Sequence, residues 1–448
     1  MIGEAMAPFL AENPDIRMIT TVVADLNGQA RGKRMPVSSA EKALDGATRM
    51  PLSVLNVDIW GDDIEDSPLV FESGDRDGVL KPTSRGFVPV PWLSNPSALL
   101  PMWMYTDAGA PFAGDPRHAL DAVLDRYRER RWEVIAATEL EFYLIDDSGE
   151  TLRPPPSPRS GKRRLGGEIL SVRALDAFDD FFAELYSACD AMGIPAETAI
   201  SESGLGQYEI NLTHRSALEA ADDAWLFKLL VKGLARKHGF AATFMAKPYA
   251  EYSGTGMHVH YSVVDEAGRN IFNDRGERGT DELLHAVGGC LRAMKESTLI
   301  FAPHGNSYDR LVPGAHAPTG IGWAYENRTA AIRIPAGSPK ARRIEHRVAG
   351  GDTHPYLMLA VSLGAAMTGI EDKVTPADPI KGNAYARKLD TLPSVWGESI
   401  RLFEEGEVMP RILSKELIRN YLLTKKQELA NYDELTEAER IALYLDTV

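Results

Sequence analysis

Apolar positions along this chain repeat every second residue in some stretches and about every 3.6 residues in others, and the changes of period divide it into elements. Ile19 to Leu26 is β-branched and apolar, Asn27-Gly28 is a strong turn signal and a basic stretch follows, so residues 17–37 are expected to form a hairpin. Residues 51–100 are rich in Asp, Gly and Pro with short apolar pieces such as Pro51 to Val57, which suits a small, loop-rich β domain ending near Pro111. At Asp115-Pro116 the period lengthens. Asp is an N-cap, Pro fits the first helical position, and Leu120, Leu124 and Tyr127 follow at helical spacing. Trp132 to Ile145 reads as a strand, and Leu152 to Gly167 as a Pro- and Arg-rich surface loop. Asp176 to Met192 is an amphipathic helix closed by Gly193 and Pro195. Ser216 and Glu219 spell a capping box for a helix to His238, with Gly239 as its stop, and another helix runs from about Thr280 to Leu299. Strands alternate with helices from 115 to about 350, and helices dominate after 353. The order is α+β, with a large domain built on a mostly antiparallel sheet.

Composition narrows the class. With 448 residues, two domains are expected; 44% hydrophobic and 25% charged residues are ordinary for a soluble globular protein. A net charge of −15 argues against a nucleic-acid partner. Cys189 and Cys290 both lie in apolar helix-like runs and read as core thiols of a reducing compartment. The first residues show no basic region ahead of an apolar run, so no signal peptide is expected. The most apolar segment, Pro355 to Ile370, is short for a bilayer span and reads as a buried core helix. A cytoplasmic protein without membrane contact is the expectation.

Within the strand periods, polar residues recur at i, i+2. The stretch Ser253 to Ser262 places His258, His260 and Ser262 on one strand face, opposite Met257, Val259 and Tyr261. Glu139 and Glu141 share a face of an otherwise apolar strand, and like charges that close need a cation between them. Glu202 and Glu209 flank a glycine turn, with Glu209 opposite Tyr208, Ile210 and Leu212. Between Arg310 and Arg347 the balance turns basic, and Arg343, Glu345 and Arg347 alternate onto one face. Glutamates with histidine make a hard, oxygen-rich site suited to Mg²⁺ or Mn²⁺. Guanidinium forks suit phosphate and carboxylate. Metal on one side and arginine on the other is what phosphoryl transfer needs. Neither a P-loop nor a dinucleotide glycine fingerprint is present.

These motifs resemble the glutamine synthetase family over nearly the whole chain. They are E-x-E (Glu139, Glu141), E-x₆-E (Glu202, Glu209), G-x-G-M-H-x-H-x-S (Gly254 to Ser262), N-S-Y-x-R-L-V-P-G (Asn306 to Gly314), N-R-x-A-x-I-R-I-P (Asn327 to Pro335) and S-P-K-A-R-R-I-E-x-R (Ser338 to Arg347). The resemblance implies a small N-terminal β-grasp domain over 1–110 and a catalytic domain over 111–448, an antiparallel sheet funnel with surrounding helices. It implies two to three Mg²⁺ or Mn²⁺ ions, one on Glu141, Glu202 and Glu209 near the glutamate, another on Glu139, His258 and Glu345 near the ATP phosphates. Gly254 and Arg310 would hold glutamate, with Arg347 on its carboxylate end. Arg328, Arg333 and Arg343 would face phosphates, with His260 and Ser262 near the nucleotide. Active sites would lie between neighbouring subunits of a ring, by likeness a dodecamer. The chemistry implied is phosphorylation of the glutamate side chain by ATP, then attack by an amine.

The departures from the family pattern concern the amine. His316 stands where glutamine synthetase proper has a flap glutamate, and Ser253 replaces the usual asparagine. The ammonium-binding aspartate loop is unmatched, leaving Asp58, Asp62 and Asp63 as candidates, and Asp390 replaces the regulatory tyrosine. Loss of the ammonium carboxylates beside retained metal, ATP and glutamate residues resembles the γ-glutamyl amine ligases that act on polyamines or small monoamines. In that reading His316 is the base or the flap residue for a primary amine, and Glu168 with the aspartates of 58–63 supplies counter-charge to the amine. The alternatives are an atypical glutamine synthetase using ammonia and a non-catalytic ring-forming relative.

Overall fold

A computed structural model describes residues 3–149, 151–274, 276–314 and 317–448. The predicted hairpin is strands β1 (Met18–Ala24) and β2 (Ala30–Pro36), antiparallel from Met18↔Pro36 to Ala24↔Ala30. With β3 (Arg49–Pro51), β4 (Asp77–Pro82), β5 (Val88–Pro89) and β6 (Ser97–Tyr105) they make a six-stranded sheet ordered β2-β1-β6-β4-β3, in which β5 also pairs with β6. Strand β1 serves two cores because successive side chains point to opposite faces. Ile19 and Val23 join a cluster with Leu80, Leu100 and Met104, while Val22 and Ala24 join the large core of the following residues.

That larger unit is a nine-stranded sheet backed by helices. Its strands are β7 (Trp132–Ile145), β8 (Ala196–Ser201), β9 (Gln207–Leu212), β10 (Arg215–Ser216), β11 (Ala241–Thr243), β12 (Met257–Asp265), β13 (Trp323–Tyr325), β14 (Ile332–Ile334) and β15 (Ile344–His346). The order is β13-β14-β15-β12-β7-β9-β8, and all these neighbours are antiparallel except β13 with β14. One face of the sheet is apolar. Leu140, Phe142, Tyr208, Ile210, Met257, Val259 and Tyr261 pack in the core with the helices Ala217–Lys237, Asp281–Phe301 and Pro355–Asp372. Every residue from Pro355 to Ile370 is buried, and no described helix is long and apolar enough to cross a membrane. Cys189 and Cys290 are buried free thiols.

Local signals worked where one side chain closes one backbone group. The Asp115 carboxylate accepts from the Arg117 N–H with Pro116 at the first helical position, and Gly193 ends its helix at φ 66°. Two expectations shift. The helix expected from Asp176 begins at Asp179, because a separate short helix, Val172–Asp176, precedes it. The capping box at Ser216 does not form: its hydroxyl donates to the Glu219 carboxylate at 2.7 Å and caps no backbone N–H.

The N-terminal sheet and the helices meet at a buried ion pair. Arg117 forks onto Asp222 with two bonds of 2.8 Å, Tyr356 donates to the same carboxylate at 2.6 Å, and the guanidinium lies 3.8 Å over the Trp103 ring. Breaking a buried pair strands the remaining charge. Arg117→Met is expected to lower stability by about 3–5 kcal/mol, read as a fall in the denaturant midpoint.

Candidate active site

The polar face of the nine-stranded sheet carries the chemistry, and strand register assembles it. On β7, Glu139 and Glu141 point away from the core while Leu140 and Phe142 point in. The antiparallel partner β12 sets His258 opposite Glu139 and His260 opposite Ala137. On the other side, β9 sets Glu209 opposite Glu141 and Asn211 opposite Glu139. Beyond β12, β15 places Glu345 opposite His260, and β14 places Arg333 opposite Glu345. Residues more than a hundred apart in sequence thus share one surface.

Glu139 accepts from both histidines, from Nδ1 of His258 at 3.1 Å and Nε2 of His260 at 2.8 Å. Arg343 Nε donates to Nδ1 of His260 at 3.2 Å, so that nitrogen must carry the lone pair and Nε2 the proton. With Nδ1–H of His258 donated to Glu139, its Nε2 keeps a lone pair, the second-sphere arrangement that orients a metal-binding imidazole. Burial, reinforced by Arg347, holds the His258 pKa below its ordinary value, so the ring is neutral at pH 7. Burial alone would raise Glu139, but the bonds from His258 and His260 outweigh it and hold the carboxyl far below its usual range.

The opposite end of the cluster is short of positive charge. Burial and then the neighbouring Glu139, Glu141 and Glu202 push Glu209 up to about 9. Burial and the charge of Glu202 push Glu141 up to about 7, against Arg310. Ligand atoms of Glu139, His258 and Glu345 lie within 4.8 Å of one another, as do those of Glu141, Glu209 and His258. Asn211 Oδ1 is buried beside them with no protein donor among the described residues. Hard oxygens, one neutral imidazole and carboxylates crowded beyond easy ionisation fit a divalent cation such as Mg²⁺ or Mn²⁺.

A cavity of about 620 Å³ gathers most of the residues singled out in the sequence: Glu139, Glu141, Glu202, Glu209, Gly254, His258, Arg310, Arg328 and Arg347. A second cavity, about 700 Å³, holds His260, Ser262 and Arg343 and shares Glu139 and Asn211 with the first. At Gly254 any side chain would collide, since a Cβ would lie 2.6 Å from the Ala246 carbonyl and 2.7 Å from Arg310 Cγ. Arg333 lines neither cavity. It is buried behind Glu345, donating to it at 2.7 Å and to Glu326 at 3.1 Å, while Arg347 donates to the other Glu345 oxygen.

Of the residues expected to meet the amine, Glu168, Asp58, Asp62 and Asp63 line neither cavity of this chain. His316 lies outside the described residues. Glu168 is paired with Arg173 at 2.6 Å and Arg164 at 3.2 Å. Asp58 is buried and closes its own turn, accepting from the N–H groups of Trp60, Gly61 and Asp62 and from Gln427 at 2.9 Å. Asp62 and Asp63 are exposed.

Sequence reasoning missed Gln207, which donates to Glu141 at 3.1 Å and to the Gly254 carbonyl at 2.9 Å while accepting from the Gly204 N–H. The signal was its place inside the E-x₆-E turn, one residue before Tyr208. It missed Asn211 too, which continues the period of Glu209 along β9. Gln207→Leu removes the side-chain donor to Glu141, leaving only the Gly256 N–H on that oxygen among the described residues. A fall in divalent-metal affinity of about 10- to 100-fold is expected by calorimetry.

Comparison with known proteins decides the family. Residues 113–444 match the glutamine synthetase catalytic domain. The chain belongs to the glutamine synthetase family. It is 35% identical over 443 residues to gamma-glutamylputrescine synthetase PuuA of Escherichia coli (strain K12), covering 96% of this chain and 92% of that one. Glutamate–isopropylamine ligase of a Pseudomonas species is 32% identical, covering 98% and 96%. Glutamine synthetase of Pyrococcus abyssi is 34% identical, covering 95% and 93%. Among solved structures of the family, a GmaS/ADP complex superposes with a TM-score of 0.83 at 29% identity, covering 98% of each chain.

Proposed function

We propose that the chain is an ATP-dependent ligase that joins the γ-carboxylate of L-glutamate to a primary amine, a polyamine or a small monoamine. The observation that carries this reading is the gathering of Glu139, Glu141, Glu202, Glu209 and His258 with Arg310, Arg328 and Arg347 in one cavity, the fully buried Glu345 completing one of the two carboxylate–histidine clusters that share His258. Metal-binding and anion-binding groups facing each other suit a phosphorylated carboxylate. Relatives named as glutamate–amine ligases support the choice of chemistry.

In this reading Arg310, Gly254 and Arg347 hold glutamate, and Glu202 joins Glu141 and Glu209 as ligands to one cation. Glu139, His258 and Glu345 hold another, and the cations neutralise phosphate charge when bound. His260, Ser262 and Arg343 line the nucleotide side, Arg328 supplies positive charge for the transferred phosphoryl group, and Arg333 adds charge from behind Glu345. The γ-carboxylate oxygen attacks the terminal phosphorus of ATP, releasing ADP and leaving γ-glutamyl phosphate. The amine nitrogen then attacks the carbonyl carbon of the γ-acyl phosphate, the carbon–oxygen bond to phosphate breaks, phosphate leaves, and the nitrogen gives up a proton, with His316 as base. We read residues 1–110 as a β-grasp domain, 111–448 as the catalytic domain, and the active form as a cytoplasmic ring, a dodecamer by family likeness.

Isotope transfer tests the reading. Glutamate carrying ¹⁸O in its γ-carboxylate should deliver one ¹⁸O to each phosphate released with ATP, Mg²⁺ and an amine. Unlabelled phosphate would rule the acyl phosphate out. The similarity to Pyrococcus abyssi glutamine synthetase favours ammonia as the second reading of the acceptor.

A further inference from the structure

The mouth of the 620 Å³ cavity carries aliphatic side chains where charged ones would be expected. Ile169 and Leu170 are 63% and 70% exposed, and both line the cavity beside Glu202 and Ser203. Their exposure is not looseness. The Leu170 N–H donates to the Ser201 carbonyl at 2.8 Å, the Ser171 N–H to Ser201 Oγ at 2.7 Å, and that hydroxyl to the Glu168 carbonyl at 2.9 Å. Gly167 packs so closely on the turn after Ser201 that a Cβ would lie 2.0 Å from the Ser203 carbonyl. The segment is therefore fixed to the strand end that presents Glu202.

Leu170 also holds a left-handed backbone, φ 55°, which is unfavourable for a residue with a Cβ. Exposed apolar surface and local strain together mark a contact for a ligand rather than a packing solution. Charge defines the ligand further. Glu168, the acid of this segment, is already paired with both Arg164 and Arg173, so two guanidinium groups gather on the residue next to the aliphatic pair. A second ammonium on the far end of an acceptor would meet cations and no unpaired carboxylate of this segment.

We propose that Ile169 and Leu170 are the specificity-determining wall of the acceptor site, and that the acceptor is a primary amine with a short aliphatic body and no second cationic group. This inference rests on the ligase reading above. Its reacting nitrogen faces the carboxylate end of the cavity, and its alkyl body lies on the two side chains.

The test is steady-state kinetics on the full protein with ATP, Mg²⁺ and glutamate, comparing methylamine, ethylamine, propylamine, butylamine and 1,4-diaminobutane. The kcat/KM is expected to rise about three- to fourfold per methylene from methylamine to propylamine, and butylamine should exceed the diamine of equal length. Ile169→Ser and Leu170→Asn, the latter compatible with the left-handed backbone, should each cut the propylamine-to-methylamine ratio at least about threefold, with KM for ATP and glutamate reporting an intact site. Val172→Ser, an exposed residue that does not line the cavity, should leave the ratio unaltered. Preference for the diamine, or a ratio unmoved by both cavity variants, would overturn this inference while leaving the ligase reading standing. Turnover with ammonium alone would overturn both.

Discussion

Replacing Glu345 with alanine is expected to abolish turnover and to loosen the fold at once. Its carboxylate is fully buried between two guanidinium groups, bonded to Arg333 at 2.7 Å on one oxygen and to Arg347 on the other. Burial would raise its pKa, but the Arg347 guanidinium above all holds it below the ordinary value, so it is charged. Removing it leaves two buried cations facing each other across an empty space, a loss of about 3–5 kcal/mol. It also removes one corner of the Glu139–His258–Glu345 cluster, for which a drop in kcat of at least about 10²–10³-fold is expected. Glu345→Gln separates the two effects. The amide fills the same space, so the denaturant midpoint should recover in part while kcat stays low. Full activity in the glutamine variant would remove Glu345 from the site.

The second large effect is a pH dependence that divalent metal reverses. Glu209 rises from 4.5 to about 9 in the folded chain when no cation shares its charge. Between those values the folded state binds a proton that the unfolded state has lost, so the contribution of Glu209 to stability is fully present below pH 4.5 and is lost as pH rises toward 9. Glu141, pushed up to about 7, adds to the fall over the lower part of that window. A cation among these carboxylates displaces the protons, so Mg²⁺ binding should release them and strengthen by about 100-fold or more between pH 6 and pH 8. Thermal midpoints in chelator should therefore decline from pH 5 to pH 9, and saturating Mg²⁺ should flatten the decline. Glu209→Gln should raise the midpoint at pH 9 in chelator and abolish most of the proton release. A variant that is less stable than the parent there would show that the carboxylate is not crowded.

How much of this was legible before the structure depends on the range of the interaction. The two face assignments on β7 and β12 follow from period two alone, because an apolar face must be buried and its alternate residues must then point outward. The buried helix Pro355–Asp372 and the Asp115-Pro116 start were legible for similar local reasons. Register was not. Period two does not tell that Glu139 meets His258 or that Glu345 meets His260, since sliding one strand by two residues preserves every face, and the expected Glu139–His258–Glu345 set comes from the family resemblance instead. That is why His258 was expected in one cluster and stands in both.

Charges at the surface were the least legible. Glu168 beside Arg164 and Arg173 is a counter-charge for a ligand or a neutralised carboxylate, and only side-chain positions choose between them. Asp58, a candidate for the amine, is buried within its own turn, where one of its oxygens accepts from three backbone donors. Ser216 and Glu219 matched a capping box by spacing, yet their side chains satisfy each other. In each case the same residues allow two arrangements, and side-chain positions that the residue pattern does not carry choose between them.

The central claim is that this site joins glutamate to an amine at the expense of ATP. Its most direct test is phosphate release by the purified protein with ATP, Mg²⁺ and glutamate, measured against ammonium and a panel of mono- and polyamines while the γ-glutamyl product is followed by mass. The account predicts rapid release with at least one primary amine, matched one for one by γ-glutamyl amide, and weak release with ammonium. Release that is fastest with ammonium and yields glutamine would contradict it.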